Sequence, residues 1–157
     1  MGEVRRLVSV EPAFGIQAAG RLMLTVLAPW VQDLSLLVES VEAARPAGAL
    51  PDWQPGAVLR LPFSKKICND GYVVSSQALM ALADAAMVIA CSAAWNGYRP
   101  MSTIDQTTHF LRPVTYDVVA DARVVRVGNN TSFGRVMMIN PVDKRPVGMV
   151  STAHAIQ

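Results

Sequence analysis

A chain of 157 residues, 52% hydrophobic and only 17% charged, is long enough for one domain to bury a core, and its apolar excess points to surface hidden in an oligomer. The formal charge of +2, with Lys and Arg scattered rather than gathered in a stripe, argues against a nucleic-acid partner. The two cysteines, Cys68 and Cys91, fall at no metal-binding or redox spacing, which fits reduced thiols in a cytoplasmic chain.

Arg5 and Arg6 near the N-terminus are not followed by an apolar stretch with a small-residue cleavage site. Gly2 does not make a myristoylation signal, because position 6 is Arg where Ser or Thr is wanted. A first helix is expected over 11–28. Pro12 suits a first helical turn, and Phe14, Ala18, Leu22 and Val26 recur at helical spacing, although Gly15 and Gly20 are poor helix formers. Pro29 and Trp30 end it. Residues 34–41 read as a first strand, 43–56 as a loop because they hold three prolines and two glycines, and 57–62 as a second strand. Residues 64–74 cross over to a long helix at 75–95, apolar all round. The run 78–95 could span a membrane by length, but it is Ala-rich, carries Asp84 and leads into strand-like segments, so a buried central helix is expected and no membrane partner.

The second half reads as strands. Residues 102–112 are Thr-rich and stop at Pro113; in 118–127, Val118, Ala120, Ala122 and Val124 share one face while Asp121 and Arg123 share the other. Gly128, Asn129 and Asn130 are expected to supply the positive backbone angles of a tight hairpin turn. Strands at 131–140 and 147–156 flank a turn at 141–146. The expected architecture is one α+β domain over 1–157, with an antiparallel sheet of about six strands wrapped around the apolar helix.

Asp84 is the only charge in the run 75–95 (SSQALMALADAAMVIACSAAW), and no Lys or Arg lies three or four positions away. A carboxylate there is costly to bury. It is either a structural Asp accepting backbone hydrogen bonds or a group kept for chemistry.

The stretch QALMALADAA, then IDQTTHFLRPV, then DARVVRVGNN resembles the hot-dog acyl-CoA thioesterases of the phenylacetic-acid-degradation (PaaI-like) type, over about 34–156. The Leu-Ala-Asp on the helix and the Phe-Leu-Arg-Pro at the strand end carry most of that resemblance. It implies a hot-dog fold, hydrolysis of an acyl-CoA and Asp84 as catalytic carboxylate, either general base or nucleophile. It further implies that Asn69, fifteen residues earlier, positions water or the acyl group, and that Thr103, with Ser102 as runner-up, assists the same water. The family opens this helix with His-Gly-Gly, whereas this chain has Ser75, Ser76 and Gln77. Backbone N–H groups at a helix start need no particular side chain, so Ser76 or Gln77 can still polarise the thioester carbonyl. Ser75 reads as an N-cap at least as well as a substrate contact. The resemblance also implies a homodimer or dimer of dimers whose site combines Asp84 and Thr103 of one subunit with Asn69, Ser76 and Gln77 of the other.

Other candidates are weaker. Met80, Met87, Met101, Met137 and Met138 read as mostly core, with Met80 near enough to Asp84 to suit an acyl pocket. Arg123, Arg126 and Arg145 could meet coenzyme A phosphates, but each singly reads as a solvated strand edge. Cys91 reads as packing, and Cys68 lacks a neighbouring His to make it a nucleophile. His109 and His154, the two histidines, read as strand residues with local hydrogen bonds, far from the helix start. No metal or prosthetic group is implied. The alternatives are a non-catalytic acyl-thioester binding protein, favoured by the missing His-Gly-Gly, and then a hot-dog hydratase or dehydratase, which needs a His paired with a carboxylate across the site.

Overall fold

Helix α1 (Ile16–Val26) turns only Ala19 fully inward and leaves Ile16 and Leu24 exposed. The computed structural model describes residues 13–157, so Pro12 and the expected helix start at 11 lie outside the described residues. The chain enters through Phe14, whose N–H donates to Asn96 Oδ1 at 2.8 Å and ties this end to the far end of the central helix. Pro29 does stop α1, but it also opens a second short helix, α2 (Pro29–Gln32), which the sequence reading missed. Proline is as well suited to a first helical position as it is unsuited to an interior one. Gln32 Nε2 donates to Leu27 O at 2.7 Å and folds α2 back on the end of α1.

Strands β1 (Leu37–Glu42) and β2 (Gly56–Leu61) follow, with the proline-rich loop between them. A 3-10 turn at Lys65–Ile67 and a tight turn at 69–73 lead to helix α3 (Ser76–Ala94). Ser75 caps α3: its Oγ accepts from Ala78 N–H at 3.3 Å. Asn96 and Gly97, both with positive φ, end it. Then come β3 (Met101–Phe110), β4 (Val118–Val127), β5 (Thr131–Ile139) and β6 (Pro146–Ile156). All pairs are antiparallel, in the order β1-β2-β4-β5-β6-β3, so β1 and β3 are the edges.

The sheet packs on α3 through the face the alternation predicts: Val118, Ala120, Ala122 and Val124 are buried. On β5 a Cβ at Gly134 would sit 2.1 Å from the Met87 methyl, so the glycine leaves the room that the end of the Met87 side chain fills between β5 and α3. Twelve of the nineteen α3 residues are buried, which makes it a core helix despite its membrane-like length and hydropathy. It is not buried all round, however. Gln77, Met80, Ala81, Asp84 and Val88 form a stripe that the sheet leaves at least partly open.

The β4–β5 turn also departs from expectation. None of Gly128, Asn129 and Asn130 has positive φ. The loop closes instead with Gly128 N–H donating to Thr131 O at 2.7 Å, a longer hairpin connection that does not demand left-handed residues.

Candidate active site

Asp84 sits half-buried midway along the open stripe of α3. Its carboxylate accepts a hydrogen bond from the Thr103 hydroxyl on β3 (Oγ1 to Oδ1, 2.7 Å) and none from backbone among the described residues, unlike a buried structural Asp held by backbone N–H groups. A carboxylate–hydroxyl bond of this length is charge-assisted, and it leaves Oδ2 free. Gln106, three residues on, donates from Nε2 to Met80 O at 3.0 Å and fastens β3 to the same stripe. Strand residues three apart normally point to opposite faces. Here the register slips between Thr103 and Asp105, so a bulge at Ile104 puts Thr103 and Gln106 on one side.

These groups line an open cleft of about 640 Å³, within the usual range for small-molecule sites. Its far wall is the α1–α2 corner, with Leu27, Trp30 and Val31, and Tyr98 and Met101 complete it. Met80 and Gln77 lie on its α3 side. Sequence reasoning missed Trp30, Tyr98 and Gln106. Trp30 stood out only as a helix terminator, and nothing local marks the other two.

Asn69 and Ser76 are elsewhere in the chain. Both line a separate cleft of about 380 Å³ with Phe110 and Arg112. Asn69 Oδ1 accepts from Gly71 N–H at 3.1 Å and Val73 N–H at 3.4 Å, which shapes the turn leading into α3. At the helix start, the Ser75 hydroxyl takes the Ala78 N–H and the Ser75 carbonyl takes that of Leu79. The N–H groups of Ser76 and Gln77 therefore belong to the free first turn, where the helix dipole favours negative charge.

Ser102 faces away from Asp84 and accepts from Gln157 Nε2 at 3.5 Å. Arg123 lies on the outer face of the sheet, paired with Glu42 and with Asp121. Arg126 is exposed on β4 beyond a bulge and has no ion pair among the described residues; Arg145 pairs weakly with Asp143 at 3.8 Å. Cys91 is buried beside Ser132 Oγ at 3.4 Å, and burial pushes its thiol up to about 11, which makes it inert. Met87 and Met138 are core, as expected.

His154 corrects the sequence reading. It is fully buried on β6, and neither ring nitrogen has a hydrogen-bond partner among the described residues. It is also the cross-strand partner of Thr103, which sets it beside the middle of α3 rather than its start. Burial pushes its imidazole below the ordinary range, and the Asp84 charge pulls it part of the way back. His109 is exposed on the outer face.

A model of the thioesterase superfamily matches residues 73–147, from the turn before α3 to the start of β6. A candidate esterase of Halobacterium salinarum is 33% identical over 92 residues, covering 54% of this chain and 60% of that protein. The chain thus spans less than two thirds of that relative's length. Among solved structures, the PaaI protein of the Escherichia coli phenylacetic acid degradation operon superposes with a TM-score of 0.72 at 19% identity, covering 90% of this chain and 91% of that one. Zebrafish thioesterase superfamily member 2 gives 0.71 at 15% identity (90% and 95%). Thermus thermophilus PaaI, as a point mutant, gives 0.62 at 19% (82% and 98%). At these identities the solved structures establish the fold, and the family match adds to them over the α3–β6 region.

Proposed function

We propose that this PaaI-like hot-dog thioesterase hydrolyses an acyl-CoA to the free acid and coenzyme A, with Asp84 as the catalytic carboxylate. The observation that carries the reading is the Thr103–Asp84 hydrogen bond in a mostly apolar cleft. Thr103 fixes one carboxylate oxygen and leaves the other for the reaction, as general base on a water or as the attacking nucleophile. Oxygen bonds to the acyl carbon, the carbon–sulfur bond breaks, and the thiolate leaves without needing a strong acid partner. The oxyanion formed on the way is held by backbone N–H at Ser76 or Gln77.

The site is shared in a two-fold homodimer. Asp84, Thr103 and Met80 come from one subunit; Asn69 and the backbone N–H of Ser76 or Gln77 come from the other, although the Gln77 side chain lines the Asp84 cleft of its own chain. The separation of Asn69 and Ser76 from Asp84 within one chain supports this reading. Arg126 is free to meet a coenzyme phosphate, whereas Arg123 is already engaged by two carboxylates. The working compartment is the cytoplasm, where Cys68 and Cys91 stay reduced.

A non-catalytic acyl-thioester binder is the second reading, because Ser75-Ser76-Gln77 stands where the family has His-Gly-Gly. His154 does not revive a hydratase, since it is fully buried and does not line the Asp84 cleft. The deciding experiment sets wild type and Asp84→Asn against a panel of acyl-CoA thioesters with a thiol-detecting dye. Turnover by wild type and a loss of at least ~100-fold in the variant are expected. Tight binding with no turnover by wild type would establish the binder instead.

A further inference from the structure

The cleft beside Asp84 has a chemical character of its own. Asp84 is the only charged side chain among its described lining residues. The remainder is mostly apolar: Leu27, Trp30 and Val31 from the α1–α2 corner, Met80 and Val88 from α3, and Tyr98; of its uncharged polar members, Thr103 and Gln106 are already hydrogen-bonded and Gln77 lies at the helix start. Arg99 follows Tyr98 directly but is turned onto the Trp95 ring, 5.3 Å from its centroid, and offers no counter-ion to the cleft. The α1–α2 wall also precedes residues 73–147, so this chain supplies it outside the part that matches the family.

We infer that the acyl group lies against the α1–α2 corner, and that the cleft selects uncharged apolar acyl groups and rejects acyl groups ending in a second carboxylate. The inference rests on the thioesterase reading. A terminal carboxylate placed among these side chains loses its water, meets no cation of its own chain and faces the charge of Asp84, while Arg112 in the Asn69 cleft is already engaged by the Pro146 carbonyl. An alkyl or aryl acyl group instead removes apolar surface from water on both sides of the contact. Trp30 lines the cleft and is 57% exposed, which makes it the residue whose replacement alters selection with least cost to the fold.

The test compares hexanoyl-CoA with adipoyl-CoA, which has the same six-carbon acyl chain with a terminal carboxylate. Wild type should favour hexanoyl-CoA in kcat/KM by at least ~100-fold. Trp30→Arg, which places a cation on the cleft wall, should shrink that ratio at least ~10-fold. Rates for the two thioesters within about threefold of one another in wild type would overturn the inference while leaving the thioesterase reading intact. Binding to Asp84→Asn protein, read by tryptophan fluorescence, measures without turnover the part of the selection that the uncharged apolar wall supplies. There hexanoyl-CoA should bind at least ~10-fold more tightly, and equal affinity overturns the inference even for a protein that hydrolyses neither thioester.

Discussion

Replacing His154 by Leu should stabilise this protein. The imidazole is fully buried with neither nitrogen partnered among the described residues. A buried polar group left unpaired costs ~1–3 kcal/mol, and an apolar side chain of similar size removes that cost. Imperfect packing of the new side chain takes back ~1 kcal/mol. A net gain of up to ~2 kcal/mol raises Tm by up to ~8 °C for a chain of this size. The pH dependence sharpens the test. Burial holds the folded-state pKa of His154 below its ordinary value, so below pH ~6.5 the unfolded chain binds a proton that the folded chain resists. Stability therefore rises with pH through that window and is lost as pH falls through it. His154→Leu lacks that loss, so the gap in Tm should widen from pH 8 to pH 5. The assay is thermal unfolding of both proteins across that range at one protein concentration. A variant that melts below wild type at pH 8 would refute the reasoning, because the imidazole would then be earning its place through a partner.

Thr103→Val keeps the β-branched shape and removes the donor to Asp84; kcat should fall ~10–100-fold with Tm within a few degrees, and unchanged turnover would remove Thr103 from the site. Ser75→Ala should lower stability by ~1 kcal/mol in a denaturant titration through loss of the helix cap and leave kcat nearly unchanged. A collapse of kcat at constant stability would instead make the Ser75 hydroxyl catalytic. Asp84→Ala and Asn69→Ala proteins refolded together should recover towards half of wild-type activity per mixed dimer, since one site then carries both lesions and the other carries neither. Mixed dimers that form but stay inactive would place both residues in a site within one chain.

What the sequence made legible follows from local physics. The strand 118–127 and the helix 75–95 were readable because alternation and an unbroken apolar run are local signals, and the Ser75 cap marks the helix start. Asp84 was visible as an isolated charge, but its pairing with Thr103, nineteen residues on, came from family resemblance rather than from spacing. What stayed hidden depends on the third dimension. The bulge at Ile104 changes which face Gln106 takes. The return of α2 brings Trp30 to a residue more than fifty positions away. The pairing of β3 with β6 sets His154 beside Thr103. The β4–β5 turn misled for a different reason: Gly and Asn permit positive φ without requiring it, and the longer loop did not use it.

The proposed shared site would also give a use to surfaces that the described residues of one chain leave without cover. β3 is a ten-residue edge strand, and edges of that length are pairing templates unless something blunts or covers them. Ile104 and Phe110 on that strand are 61% and 46% exposed, and Met80 on the neighbouring stripe of α3 is 39% exposed. These residues follow the line that joins the Asp84 cleft to the Asn69 cleft along β3 and α3. On the proposed reading, a two-fold axis across that line would bury the apolar residues and set each Asn69 cleft opposite the partner's Asp84. Assembly and catalysis would then depend on one surface. A charge introduced at Ile104, which touches neither Asp84 nor Thr103 through any hydrogen bond of its own, should abolish turnover together with the dimer. Activity retained by a monomeric Ile104→Asp protein, shown by sedimentation, would separate the two and place the whole site in one chain.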